Sequence, residues 1–270
     1  MRHHNPKHTG GTRTLASRAG IMRYALAAAF TVLAFAASSR PSSAEEPWRF
    51  TTEPYVFFAG LKGHTAIGRA EADVDAKFSD IFKNLKMAAM TKFDATNDRW
   101  GVTGDLMYMR LGIKGGVRGD YVELGNKMTI LETDGFYRWH IGQSATLDAL
   151  AGVRYWNIRF KATLAGPIVG ATANRSADWA DPLVGLRMNV PLAENWSLMF
   201  RGDIGGFGVG SSFSWQIEAG ILYQVSKGFA ITAQYRYLDV DYSRGTPDTP
   251  DRFVFDAAMH GPQLGLRFAL

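Results

Sequence analysis

An alternation of period two runs through nearly all of residues 45–270, with ionised residues on one parity and oily residues on the other. In residues 215–225 one side holds Gln216, Glu218, Gly220, Leu222 and Gln224, and the other holds Trp215, Ile217, Ala219, Ile221, Tyr223 and Val225. Residues 179–192 set Asp181, Leu183, Gly185, Arg187 and Asn189 against Ala180, Pro182, Val184, Leu186, Met188 and Val190. Successive side chains of a strand point to opposite faces, so each stretch reads as a strand with one polar and one apolar face. A soluble barrel would put the apolar face inside. A barrel in lipid must reverse it.

The first 44 residues carry six bases (Arg2, Lys7, Arg13, Arg18, Arg23, Arg40) and no acid. An apolar run over residues 24–39 follows Arg23, and Ser42 and Ala44 stand at −3 and −1 of a cleavage site before Glu45. This is the three-part pattern of a secretory signal peptide, with 1–21 as a possible over-long N-terminal extension before Met22. A transmembrane anchor is the alternative, and the run is short for one. Taking six bases from the 30 Lys+Arg leaves 24 against 25 Asp+Glu, a net charge of −1. The basic balance of the whole chain therefore belongs to the leader and supports no nucleic-acid partner. There is no cysteine, hence no disulfide scaffold and no thiol chemistry. No apolar run of 18 or more follows the leader, so residues 45–270 are expected to form a single domain that crosses no membrane by a helix.

Ten strands are expected, near 49–66, 86–96, 99–112, 122–141, 145–162, 178–190, 196–209, 212–226, 229–243 and 254–270. Short connections near Asn97, Gln143, Glu194 and Lys227 alternate with longer ones near 67–85, 112–121, 163–178, 209–214 and 243–253. An even strand number, short turns at one end and long loops at the other predict an all-β, transmembrane, antiparallel up-and-down barrel of about ten strands. Eight strands with an extra hairpin is the fallback. Aromatic residues at the ends of the apolar faces (Tyr137 and Trp139, Trp215 and Tyr223, Phe229, Tyr235 and Tyr237) suit a membrane–water boundary better than a soluble barrel. A backbone in lipid must satisfy its own N–H and C=O groups, so the sheet is expected to close.

The stretches "GDLMYMRLG" (104–112), "LDALAGVRYW" (147–156), "DPLVGLR" (181–187), "RGDIGGFGVGSSFSWQ" (201–216), "YRYLDVDY" (235–242) and "HGPQLGL" (260–266) carry a resemblance. The chain resembles the bacterial outer-membrane β-barrel superfamily, in particular an uncharacterised porin-like group. The resemblance implies a cell outer-membrane location in a Gram-negative envelope, contact with outer-membrane lipid and lipopolysaccharide, and barrel-insertion machinery acting through the C-terminal strand. That strand ends on Leu270, with Phe268 two before it, where such barrels often end on an aromatic residue.

In lipid the parity rule sends Asp94, Asp105, Glu132, Asp134, Asp148, Asp181, Asp203 and Glu218 into the lumen, with Lys92, Arg138, Arg154, Arg187, Arg201, Arg236 and Arg267. Near-balanced charges, opposite in sign on adjacent strands, predict an ionic network filling a narrow bore. The outward glycines after Arg201 are expected to let Tyr223 or Trp215 lie across the backbone, or to serve protomer contact.

Chemistry is weakly signalled. His64 and His260, with Ser79, Ser211, Ser212 and Ser214, are the candidates for a rim hydrolase; His140 falls near the short-turn end by the strand order and cannot join them, and no G-x-S-x-G or H-E-x-x-H occurs. Within residues 73–86, Phe78, Ile81, Phe82 and Leu85 recur at helical spacing, and Ser79 could cap a short helix in the first long loop. Such a helix would close the barrel mouth or lie on the membrane. Asp73 and Asp75 lack EF-hand spacing and read as solvated acids. Residues 162–181 read as a mobile loop. The expectation is a non-enzymatic barrel without cofactor or metal, monomeric or weakly self-associating. Its role is structural or interactive, with at most narrow passage of small solutes; a porin-like channel is the alternative and a rim hydrolase a lesser one.

Overall fold

A computed structural model describes residues 47–270 apart from 118–119, 143 and 166–169. The signal-peptide segment, 1–44, lies outside the described residues. Twelve strands form one antiparallel sheet: β1 (Arg49–Phe57), β2 (Gly60–Ile67), β3 (Ala70–Ala76), β4 (Leu85–Thr96), β5 (Trp100–Val117), β6 (Asp120–Ile141), β7 (Ala145–Ala165), β8 (Gly170–Ala193), β9 (Trp196–Gly205), β10 (Phe213–Ser226), β11 (Phe229–Arg244) and β12 (Phe253–Ala269). β1 pairs with both β4 and β12, which closes a ring of ten strands, and β2–β3 extend it as a hairpin on β12. Among the described residues no helix is long and apolar enough to cross a membrane.

The expected strand over 49–66 is broken at Phe58 and Ala59. The Phe58 N–H donates to Pro262 O at 2.9 Å, and a side chain at Gly261 would collide with the Phe58 carbonyl. Beyond this step β2 stays on β12 while the upper part of β4 stays on β5, leaving a seam between β3 and β4. A single helical turn and a half, α1 (Phe78–Lys83), lies at that seam. Phe78 meets Phe58 edge-on at 5.0 Å, and Asn84 O accepts from Gly112 N at 2.9 Å. The helix is thus part of the wall. Its start is Lys77, with no side-chain cap, so Ser79 does not cap it. Three expected loops contain strand: 70–76 of the first is β3, residues 113–117 prolong β5, and β7 and β8 run on to Ala165 and from Gly170.

Ladder rows locate the membrane. The outward row Trp100–Tyr137–Ala149–Leu186 is followed by Val102–Gly135–Ala151–Val184, Gly104–Thr133–Val153–Pro182 and Leu106–Leu131–Tyr155–Ala180. Trp100 packs edge-on against Tyr137 at 4.6 Å, Trp196 lies 4.7 Å from Tyr223, and Phe229 stacks on Phe268 at 5.2 Å, giving an aromatic girdle at the short-turn end. At the other end Trp215, Tyr237 and His260 form a stack. Oily side chains between these girdles stay exposed, Val153 at 46% and Val184 at 49%. Water would penalise such a surface, and acyl chains would not. Val153→Arg is therefore expected to cost about 2–4 kcal/mol in urea unfolding of the lipid-reconstituted barrel. A change below about 0.5 kcal/mol would place that face in water.

Candidate functional site

Along β1, β4, β5, β6, β7 and β11 the inward side changes character near one level. Asp105 gives way to Met107, Glu132 to Ile130, Arg154 to Trp156, Arg236 to Leu238, Tyr55 to Phe57 and Lys92 to Met90. Below that level the lumen is ionic. Above it the lumen is filled with apolar side chains.

The lower layer is built by cross-lumen pairs. Arg154 is fully buried and bonds Glu132 (2.5 Å) and Asp203 (2.7 Å). Arg201 reaches Asp134 (2.8 Å), Asp203 (3.0 Å) and Glu132. Arg236 binds Asp105 at 2.7 Å, which also accepts from Tyr55 Oη at 2.6 Å, and lies 3.4 Å from Glu218. Lys92 meets Glu218 at 2.5 Å. Toward the short turns, Arg187 joins Asp94 (2.7 Å) to Asp148 (2.9 Å), and Arg138 grips Asp148 at 2.7 and 2.9 Å. Arg267 holds Glu53 at 2.6 Å.

Three of these pairs tie nearly opposite walls. Lys92–Glu218 joins β4 to β10, Arg187–Asp94 joins β8 to β4, and Arg236–Asp105 joins β11 to β5; each spans four places in the ring of ten. Small residues make the room. A Cβ at Gly152 would fall 2.2 Å from Asp134 Oδ1, and one at Gly265 would fall 2.7 Å from Glu53 Oε1. A chamber of about 260 Å³ remains at the short-turn end, lined by Asp94, Arg138, Asp148, Arg187 and Arg267 among others.

The upper layer is a packed core. Trp156 stacks on Trp179 at 5.4 Å, and Trp179 on Tyr242 at 3.8 Å, with Phe253, Phe255, Leu238, Val240 and Ile158 around them. A small apolar cavity of about 20 Å³ lies between Ile81 of α1 and Met90, Met107, Met109, Met128 and Met259. On the outside the polarity reverses as well: Asp239 and Asp241 follow Tyr237, and Lys127 follows Leu131 and Thr129. The two barrel types weighed from the sequence thus occur in one molecule, a lipid-facing section below and a section with soluble-protein polarity above.

Of the residues placed inward by parity, Asp94, Asp105, Asp134, Arg138, Asp148, Arg154, Arg187, Arg201, Asp203, Glu218, Arg236 and Arg267 are brought together by ion pairs, as are Lys92 and Glu132. Asp181 faces inward but stands apart. It lies level with the apolar layer and accepts from Trp179 Nε1 (3.2 Å) and Ser211 N (2.6 Å). Signs do not alternate throughout: Arg187 lies opposite Arg201 and Asp105 opposite Glu132 in the ladders, which is why their partners lie elsewhere around the ring. Glu53 was missed; its signal is the run Glu53-Tyr55-Phe57 on one parity.

Strand β9 stops at Gly205, earlier than expected. Gly206 and Gly208 take positive φ, as does Phe207 at 50° between them, so these glycines make a turn. Trp215 stacks on Tyr237 and Tyr223 packs tilted against Trp196, not across the glycine backbone. The loop bridges β8 to β11 through Gly206 N to Pro182 O (3.1 Å) and Ser212 N to Asp241 O (2.8 Å).

For the hydrolase candidates, His64 meets Asp73 at 3.0 Å and His260 meets Tyr235 Oη at 3.0 Å. His140 lies at the short-turn end, 3.3 Å from Asp98. Among the described residues no hydrogen bond joins a serine hydroxyl to these rings, and no group of three or more His, Asp and Glu could hold a metal ion.

No family model matches the chain, and no protein with a curated description matches it. Solved structures similar to it include the outer-membrane protease OmpT from Escherichia coli (8% identity, TM-score 0.49, 86% of this chain and 99% of that one). Others are the translocator domain of the autotransporter NalP from Neisseria meningitidis (12%, 0.40, 93% and 97%) and the attachment invasion locus protein Ail of Yersinia pestis (15%, 0.37, 83% and 99%). At these identities and scores the closed barrel rests on the strand pairing itself, and none of these proteins assigns a role.

Proposed function

We propose that the chain is an outer-membrane barrel with a sealed lumen, whose role is carried by its wall and its section above the lipid, not by transport. The observation behind this reading is the set of charge pairs joining nearly opposite strands, with a packed aromatic layer above them. A solute crossing the bore would have to part buried ion pairs and then enter a dry core, each step costing several kcal/mol. A porin-like channel needs an aqueous path through both layers. A rim hydrolase needs a nucleophile bonded to its base, and the histidine partners here are carboxylates and a tyrosine.

Planar-bilayer recording tests the reading. Wild-type protein is expected to give no steady openings. Arg201→Ala combined with Asp203→Ala is also expected to give none, because the Trp156–Trp179–Tyr242 layer still blocks the bore. Stable unitary openings from the wild type would restore the channel.

A further inference from the structure

We propose that the apolar cavity beside α1 is a binding site for a soft monovalent metal ion, Cu(I), held by methionine sulfurs. Residues 45–270 contain eight methionines, and five of them, Met90, Met107, Met109, Met128 and Met259, line this cavity. The ladders bring them together. Met90 lies directly opposite Met107 between β4 and β5, and Met109 lies directly opposite Met128 between β5 and β6. Met107 and Met109 are two residues apart on β5 and so share one face of it. Met259 comes from β12, on the far side of the β3–β4 seam. Opposed residues of an antiparallel ladder have Cα atoms about 4.5–5.5 Å apart, and the three rotatable bonds of methionine let each sulfur turn to a common point.

The donors select the ligand. The rest of the lining is Phe57, Ala59, Ile81 and Ile130, so sulfur is the side-chain donor these residues offer. Soft thioethers select Cu(I) over hard cations such as Mg²⁺ or Ca²⁺. Unlike thiols they lose no proton on binding and form no disulfide, and the chain has no cysteine to serve instead. Methionine often fills irregular core space, but a filler closes its gap. Here about 20 Å³ stays open among five flexible side chains, room for one small ion, and the lining side chains give a water almost nothing to bond. A cation in a dry cavity also needs counter-charge. Among the described residues, the ion pairs of the layer below join eight carboxylates to seven bases, leaving one formal negative charge in excess. One of these acids, Asp105, stands two residues below Met107 on β5. Ile81 of α1 closes the cavity on the seam side, which puts the way in at the wall, clear of the ionic layer.

The test uses the refolded barrel in detergent micelles, titrated without oxygen with Cu(I) held by a coloured competing chelator. Wild-type protein is expected to withdraw one equivalent. Met107→Leu/Met109→Leu/Met128→Leu is expected to bind about 100-fold more weakly. Leucine keeps the volume of methionine, so this variant should still show the heat-modifiable migration of a folded barrel. Changing the other three methionines of residues 45–270, as Met87→Leu/Met188→Leu/Met199→Leu, should leave the affinity unchanged. Ag(I) should displace the copper, and excess Zn(II) should not. X-ray absorption at the copper edge of the wild-type complex should show sulfur neighbours alone, a readout that does not depend on how well any variant folds. No uptake by the wild type would mean that the five methionines only pack. Equal uptake by the first triple variant, or oxygen or nitrogen neighbours in the absorption spectrum, would likewise overturn the site.

Discussion

Arg154→Met should destabilise the folded barrel by about 3–5 kcal/mol, the cost of leaving buried carboxylates without their cation. Arg154 is fully buried and holds Glu132 and Asp203, which are themselves almost inaccessible. Methionine fills similar space but donates nothing. Arg201 still touches both acids, yet it must also serve Asp134, so it cannot neutralise three carboxylates alone. The measurement is urea unfolding in lipid vesicles followed by tryptophan fluorescence. Adding Glu132→Gln and Asp203→Asn to Arg154→Met should recover most of the loss, since replacing a whole buried ionic group is far less costly than removing one member. An unfolding midpoint equal to that of the wild type would mean that water already solvates these carboxylates. The sealed lumen would then fail with it.

The lipid-facing section was legible because a membrane barrel obeys one rule at every position: parity alone sends Arg154, Arg201 and Arg236 inward and Val153, Val184 and Ile231 outward. The pairing partners were not legible. Arg187 finds Asp94 across the ring, and no sequence distance encodes which of ten strands lies opposite. The upper section was misjudged for a different reason. β8 is 24 residues long and β6 is 22, against about 9–11 needed to cross a bilayer. The excess must leave the lipid, and outside it the favourable orientation reverses. The reversal is written in "YRYLDVDY", where outward Tyr235 and Tyr237 are succeeded by Asp239 and Asp241 while Arg236 gives way to Leu238, Val240 and Tyr242. The alternation continues without a break, so period alone cannot register that lipid has been exchanged for water. Residues 162–181 read as a loop because they are rich in small residues; residues 162–165 and 170–181 are nonetheless strand, held in the β7–β8 ladder.

Trp156→Ala should separate the two sections. Trp156 is fully buried between Trp179 and Phe255, and its truncation removes the centre of the upper core at a cost of about 3–5 kcal/mol. The ladder between β6 and β7 runs unbroken from Tyr121–Ala165 to Ile141–Ala145, so the whole barrel could in principle respond as one cooperative unit. The forces differ on either side of Trp156, however. Below it the strands are held by Arg154, Glu132 and Asp203 and by surrounding lipid; above it the strands face water on one side and depend on the aromatic layer. Loss of that layer lowers the opening free energy of the protruding hairpins and leaves the ionic layer intact. The expected result is rapid protease cleavage in the β7–β8 and β11–β12 hairpins of vesicle-embedded protein, with heat-modifiable migration of the membrane section retained. Simultaneous loss of both would show that the ladder transmits the damage through the level where ions meet oil, and that the two layers stabilise a single unit.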